Sequence, residues 1–377
     1  MPASRLSSLS LTLFFTQGVS LATWEAVGML KREVALYRGL AQAGLGVRFV
    51  TYGGQQDAAL AAHIPEIEIL CNRRGLPDWL YARWVARRVP NAPGQIVKSN
   101  QVPGAQVALK AARRSGAAFV ARCGYLFSLN EARQHGEQSA RARAARQLES
   151  RIFPAADRAV VTTPVIRAAL NERYSVDPER IRVIPNYVLT DHFAPVASPS
   201  HTPPRLVFVG RLASEKNLFA LLEAVAPLDV ELLIIGEGPQ RAELEAVAAK
   251  GKAAVSFLGA QPHLELPALL NSCDVYVQPS FYEGHPKTLI EAMSCGLPVI
   301  GGRVSGIQEL IQPGKTGLLC DTSPEGVRAA IQTLLDHSAM RERLGTAARQ
   351  YVLEHFSLER VLELELALYA ELAAERA

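Results

Sequence analysis

The sequence predicts an α/β protein of two doubly wound, parallel-sheet domains that face a central cleft. Three observations carry that prediction. The chain has 377 residues, more than one hydrophobic core usually organises. Short β-rich runs alternate with helical runs, as when parallel strands are joined by crossover helices. The alternation breaks once, at "FAPVASPSHTPPR" (193–205), whose four prolines and three Ser/Thr read as an interdomain linker. The expected division is a first domain over 1–195, a linker over 196–204, a second domain over 205–355 and a terminal helical stretch over 356–377.

In the first half, "LTLFFTQ" reads as a strand, "WEAVGMLKREVALYRGLAQAG" as a helical run and "VRFVTYGG" as the next strand. "QIVKSNQ" precedes the helical "GAQVALKAARRSG", and "AAFVARCGY" follows it. "RAVVTT", "PVIRAALNERY" and "IRVIPNYV" complete the series. After the proline-rich stretch come "LVFVG", "ELLIIGEGP", "AVSFLGA", "DVYVQPS", "LPVIGG" and "TGLLCD", with helical runs between them. A long helical stretch from about Leu358 ends the chain. Such sheets take their ligands at the carboxyl ends of the strands.

Composition narrows the class. Hydrophobic residues make up 49% and charged residues 20%, as in a globular protein rather than a disordered or fibrous one. The five cysteines are odd in number and include no C-x-x-C, which predicts a reducing compartment with neither disulfide framework nor zinc. The start, MPASRLSSLSLTLFF, has Arg5 before a short apolar run but no A-x-A cleavage site, and it flows into a strand pattern. No other stretch is long and apolar enough to span a bilayer, so a cytosolic protein is expected. The net charge of +4 hides a split: residues 1–200 hold 25 Lys/Arg against 14 Asp/Glu, and residues 201–377 hold 15 against 22. A basic first half suits an anionic partner, such as a membrane surface, a phospholipid-linked acceptor or nucleic acid.

Two stretches carry chemistry. In "LVFVGRLASEKN" (206–217), Arg211 leaves the end of an apolar strand and Lys216 stands near the next helix. Two cations beside helix amides suit a diphosphate. Neither standard phosphate signature is present: "QPGKTG" (312–317) has Glu309 where a P-loop needs glycine, and "GEGPQR" (236–241) lacks the third glycine of a dinucleotide fingerprint. In "FYEGHPKTLIEAMSCGLPVIGG" (281–302), a helix is expected from Pro286 with no capping side chain at Gly284 or His285. That leaves the amides of Lys287, Thr288 and Leu289 for an anion. Glu283 precedes this turn, and Glu291 follows about 12 Å further along at 1.5 Å per residue. Carboxylates on either side of a phosphate-binding turn match a nucleotide-sugar, one for sugar hydroxyls and one for ribose.

Together, "FVGRLASEKN", "IIGEGP", "VSFLGA", "VIPNYVLTDHFAP" and "FYEGHPKTLIEAMSCGLPVIGGRVSGIQELI" resemble glycosyltransferase family 4, the retaining enzymes of GT-B fold with an E-x7-E motif. The resemblance is specific over about 180–330 and weaker before it. It implies an acceptor-binding first domain, a nucleotide-sugar-binding second domain and a terminal helix that packs back on the first. It also implies that Arg211 and Lys216 hold the donor diphosphate, that Glu283 meets the donor sugar and that Glu291 meets the ribose. Within the motif, Gly284 and His285 are candidate donor-binding residues, His285 either touching donor or acceptor or shaping the turn. Gly18 resembles the first-loop glycine near the donor phosphate. Arg211, Lys216 and Glu283 are the residues expected to carry catalysis. The reaction implied moves a sugar from a UDP- or GDP-sugar to a glycan or lipid-linked hydroxyl, in surface polysaccharide or glycoconjugate synthesis.

The sequence departs from the family in two places. Where many members have a histidine, "ARCGYLFS" (121–128) puts Arg122, Cys123 or Tyr125; and the first loop reads "TQGVS" (16–20) in place of a double glycine. No D-x-D occurs, so no metal or other cofactor is expected, and Arg211, Lys216 and helix dipoles would stabilise the leaving group. A third stretch, "PDWLYARWVARRVPN" (77–91), interleaves Trp79, Leu80, Trp84 and Val85 with Arg83, Arg87 and Arg88. It is a candidate membrane or acceptor contact or an ordinary helix with buried tryptophans. Without a nucleic-acid module, no nucleic-acid partner is expected. The competing readings are a nucleotide-sugar 2-epimerase, a sugar phosphorylase and a non-catalytic partner of another transferase. The first would need a histidine and carboxylates from the first domain, the second a cofactor lysine; donor turnover by the purified protein would argue against the third.

Overall fold

The structure, a computed structural model, describes residues 8–197 and 201–376. The leader-like start up to Ser7, with Arg5, and positions 198–200 of the proline-rich stretch lie outside the described residues. The chain divides into two compact units, Met1–Pro185 with Val361–Ala377, and Asn186–Arg360.

In the first unit, seven strands form one sheet: β1 (Ser10–Phe14), β2 (Gly46–Val50), β3 (Ile67–Leu70), β4 (Gln95–Ser99), β5 (Ala118–Cys123), β6 (Arg158–Val161) and β7 (Ile181–Val183). Their order is β3-β2-β1-β4-β5-β6-β7, and all pairs are parallel. The order reverses between β1 and β4, and crevices open at such switch points. β3 is absent from the expected strand runs. It is a four-residue edge strand with Glu68 exposed, too short and too polar to stand out. The expected helical run 24–44 is two helices, Leu21–Ala26 and Leu30–Gln42. Between them Gly28 turns the chain at φ +67, which glycine adopts at little cost.

The helix Leu358–Glu375 packs on this sheet. Lys98, fully buried on β4, donates to Glu365 Oε1 at 2.5 Å and to the Tyr369 hydroxyl at 3.1 Å. Further along, Arg158 Nη2 donates to Glu371 at 2.6 Å, and Arg182 pairs with the same carboxylate. Burial works to raise the Glu371 pKa, but the hydrogen bonds and charges of Arg158 and Arg182 hold it below the usual carboxylate value.

In the second unit, six parallel strands run in the order β10-β9-β8-β11-β12-β13. They are β8 (Arg205–Val209), β9 (Glu231–Ile235), β10 (Ala254–Gly259), β11 (Val275–Gln278), β12 (Val299–Gly302) and β13 (Leu318–Cys320). Here the reversal falls between β8 and β11. The expected first-domain boundary at 195 is corrected: residues 186–195 belong to this unit. Val188 and Phe193 are buried in its core, and Val188 N donates to Phe356 O at 2.9 Å. Arg349 donates to the carbonyls of Thr190 and Phe193. The proline-rich stretch therefore lies within the second unit's span. Composition marked its irregular backbone but not the two apolar anchors that precede and enter it.

Candidate functional site

The carboxyl ends of β8 and β11, either side of the second unit's switch point, bring Lys216 and Glu283 of the sequence-predicted residues together. After β8 the chain passes Gly210 and Arg211 into a short turn, Ser214–Lys216. Asn217 follows at φ +55, and its side chain donates to Pro279 O at 3.0 Å and Thr322 O at 2.8 Å. Phe281 N donates to Glu215 O at 2.9 Å, so the two loops are joined directly. Glycines let neighbouring backbones close on them. A Cβ on Gly236 would sit 1.9 Å from Gly210 O, and one on Gly238 2.3 Å from Leu212 O. The "GEG" that failed as a dinucleotide fingerprint is there to pack against the Arg211 loop. Gly306 likewise lies behind the motif, where a Cβ would meet Gly284 O at 2.1 Å.

Three donors converge on one oxygen of Glu283. Lys216 Nζ lies 2.6 Å from Oε1, Gln278 Nε2 2.6 Å and Ser280 Oγ 2.7 Å. The Glu283 side chain is 9% exposed and that of Lys216 17%. Gln278 is fixed in turn by Tyr276, whose hydroxyl lies 2.9 Å from Gln278 Oε1 and 3.0 Å from Thr288 Oγ1. Burial pushes the Tyr276 hydroxyl pKa up, so it stays protonated. Arg211 is 58% exposed and pairs with Glu215 at 2.7 Å. Burial works to raise the Glu215 pKa, but the hydrogen bond from Arg211 and its own backbone amide, with the charges of Arg211 and Lys216, bring it below the usual value. Both cations keep donors to spare, since an ammonium has three and a guanidinium five.

The helix after this loop runs Lys287–Ser294 with Pro286 at its cap, one residue later than expected. No side chain caps it, so the amides of its first turn are not taken by a capping group. Leu289 is fully buried with Ile290, Ala292 and Met293, so only its backbone can serve a ligand. His285 is buried against Phe356, ring centroids 5.3 Å apart, and its carbonyl accepts from Asn186 at 2.9 Å. Glu291 is 2% exposed and bonds through Oε1 to His263 Nε2 at 2.8 Å. His263 was not singled out among the eight histidines, and no local pattern marks it. Gln278 and Ser280 were also missed, although Gln278 ends β11 and Ser280 follows two residues later on the ligand side of the sheet.

In the first unit, Gly18 stands exposed at φ +78 in the loop after β1. The helix that follows is already capped. Ser20 and Thr23 form a capping box, and the buried Asp57 accepts from Leu21 N at 3.1 Å, Ala22 N at 3.0 Å and Thr51 Oγ1 at 2.5 Å. Unlike the second unit's helix, this one has its Leu21, Ala22 and Thr23 amides bonded to side chains. At the end of β5, Arg122 Nη1 donates to Asn100 O at 3.4 Å. Cys123 is buried, its thiol pKa pushed up by burial, and Tyr125 is exposed. The helix at 78–85 ends before Arg87 and Arg88, which lie just beyond it. Trp79 is 70% exposed, and Trp84 stacks on Tyr81 at 5.9 Å. The expectation of an ordinary helix with both tryptophans buried does not hold for Trp79.

Two doubly wound parallel α/β units make the GT-B fold. A model described as Glycosyltransferase Family 4 matches residues 32–192, and one described as Glycosyl transferases group 1 matches 192–351. The chain belongs to glycosyltransferase family 4. It is 34% identical over 186 residues to glycogen synthase of Mycobacterium tuberculosis, covering 47% of this chain and 44% of that protein. It is 37% identical over 164 residues to a GDP-mannose-dependent alpha-mannosyltransferase of Mycolicibacterium smegmatis, covering 43% and 42%. The aligned region thus spans under half of either relative. Among solved structures, sucrose-phosphate synthase of Thermosynechococcus elongatus superposes with TM-score 0.81 at 24% identity, covering 97% of this chain and all of that one. Anabaena HepE, in complex with UDP and glucose, gives 0.75 at 18% identity, covering 96% and 99%.

Proposed function

We propose that this protein transfers a sugar, with retention, from a UDP- or GDP-sugar to a hydroxyl of a glycan or lipid-linked acceptor in surface polysaccharide or glycoconjugate synthesis. The observation that carries the reading is the fixed Glu283 carboxylate, held by Lys216, Gln278 and Ser280 beside Arg211 and an uncapped helix start. Glu283 has its second oxygen for sugar hydroxyls. Arg211, Lys216 and the amides of Lys287, Thr288 and Leu289 face the diphosphate, where negative charge grows as the sugar leaves. Gly284 and His285 supply the backbone that brings the sugar to that turn. Glu291, turned by His263, serves the ribose. Gly18 of the first unit is assigned to the phosphate side, and Arg122 and Tyr125 to the acceptor.

In this reading the acceptor hydroxyl attacks the anomeric carbon on the face the leaving group departs from. The bond to the phosphate oxygen breaks, and that oxygen takes the acceptor's proton, so no protein nucleophile is required. The positive groups already present replace a metal. The relatives support the donor class in outline: one is named for GDP-mannose, and one structural neighbour holds UDP and glucose. Among the described residues no helix is long and apolar enough to cross a membrane; the membrane surface enters as a docking partner for a lipid-linked acceptor. A panel of UDP-, GDP-, ADP- and dTDP-sugars tests the proposal. Thermal stabilisation and product formation with UDP- or GDP-sugars are expected, unaffected by EDTA and with the anomeric configuration kept. Inversion at the anomeric carbon, or activity that EDTA abolishes, would contradict it.

A further inference from the structure

Beside β3, at the edge of the first unit's sheet, lies a cavity of about 310 Å³, the size of a small-ligand site. One wall is the end of β3, with Leu70. The other is the helix Asp78–Val85, with Tyr81 and Trp84. The walls are tied together: the Tyr81 hydroxyl donates to Leu70 O at 2.8 Å. The lip is fixed separately. Asn72 accepts from Leu76 N at 2.9 Å and donates to Leu76 O at 2.7 Å, closing a turn completed by Gly75 at φ +61. Arg73 and Arg74 stand exposed on that turn.

The charge around this cavity is not neutralised. Residues 71–90 hold five arginines and one acid, Asp78. The side chains of Arg73, Arg74, Arg83 and Arg87 make no hydrogen bond or ion pair with another described residue. Arg38, Arg48, Arg158 and Arg182 of the same unit each have a glutamate. Arg88 lies over the Trp84 ring, 4.7 Å from its centroid. On the same helix Trp79 and Leu80 point into solvent. A largely apolar pocket with Arg73 and Arg74 on its lip suits an anionic amphiphile, whose phosphate meets the two arginine forks while its chain lies along Leu70, Leu76 and Trp84. An exposed indole belongs at the headgroup level of a bilayer. The cavity also opens at the carboxyl end of β3, the same end of the sheet as the Gly18 loop.

We propose that this cavity binds the phosphate headgroup of an anionic membrane lipid and docks the first unit on a membrane. The idea deepens the lipid-linked acceptor reading and rests on it for its purpose, though not for its test. Flotation of the full chain with phosphatidylcholine vesicles, with and without phosphatidylglycerol, reads the site without turnover. Binding is expected only with phosphatidylglycerol. Arg73→Ser with Arg74→Ser should weaken it about thirtyfold, at about fivefold per arginine near an anionic surface. Leu76→Trp, which fills the cavity without changing charge, should weaken it several-fold. Arg113→Ser with Arg114→Ser removes equal charge from exposed positions by the amino ends of the strands, and should change binding less than about twofold. No vesicle binding, equal losses from the two arginine pairs, or no loss in either cavity variant would each overturn the proposal. A variant that no longer floats but still turns over a nucleotide-sugar separates this site from the transferase reading. Vesicle binding by a chain that turns over no donor would sink that reading and leave this one.

Discussion

Replacing His263 asks what the buried Glu291 carboxylate is for. The two side chains meet at 2.8 Å and are almost wholly enclosed. A hydrogen bond to a charged group contributes about 1.5–3 kcal/mol when its loss leaves the partner buried. The second unit spans residues 186–360, 175 positions, and at that size 1 kcal/mol moves the melting temperature by about 2–4 °C. His263→Ala should therefore lower its melting temperature by about 3–12 °C. Glu291→Gln should cost a similar amount, and the double variant less than the sum, because both remove one interaction. Calorimetric binding of UDP and GDP supplies the second readout. If Glu291 also meets the ribose, Glu291→Gln should weaken nucleotide binding about tenfold or more, roughly 1.4 kcal/mol. His263→Ala keeps the carboxylate and should weaken it less. Wild-type nucleotide affinity in a destabilised Glu291→Gln protein would refute the ribose role and leave Glu291 as a structural partner of His263. Unchanged melting in both single variants would refute the buried pair as a stabilising contact.

Glu283→Ala and Lys216→Ala should each leave a folded protein whose turnover falls by at least about 10²-fold, the scale of losing one fixed electrostatic contact. Near wild-type turnover in either would overturn the site. Gly306→Ala forces a Cβ toward Gly284 O; it should destabilise the second unit by about 1–3 kcal/mol and weaken nucleotide binding, and a melting curve like the wild type's would show that the close approach is not needed. The folded pKa of Glu371 is depressed, so its pairing with Arg158 and Arg182 stabilises fully above the unfolded value, near ~4.3. That contribution is lost as pH falls through the folded value. Melting temperatures measured downward from pH 6 should fall less steeply below about pH 4 in Glu371→Gln than in the wild type, and parallel curves would exclude the pair as a source of acid sensitivity.

Much of this molecule was legible in one dimension. Parallel strands buried on both faces appear as apolar runs, and "LVFVG", "DVYVQPS" and "LPVIGG" each fall on a strand. Arg211, Lys216, Glu283 and Glu291 could be named from the two stretches "LVFVGRLASEKN" and "FYEGHPKTLIEAMSCGLPVIGG", and the structure joins Lys216 to Glu283. The two-unit architecture followed from the count of such runs. The sequence could not show contacts made between distant segments. His263 reaches Glu291 across 28 positions, Asp57 caps a helix 36 residues before it, and Gln278 joins Lys216 on one oxygen of Glu283. The unit boundary also moved, because Val188 and Phe193 are buried against residues more than a hundred positions away. Local pattern fixes which residue types follow which strand; only the folded chain decides which of them meet, because a hydrogen bond depends on distance in space and not on separation along the backbone.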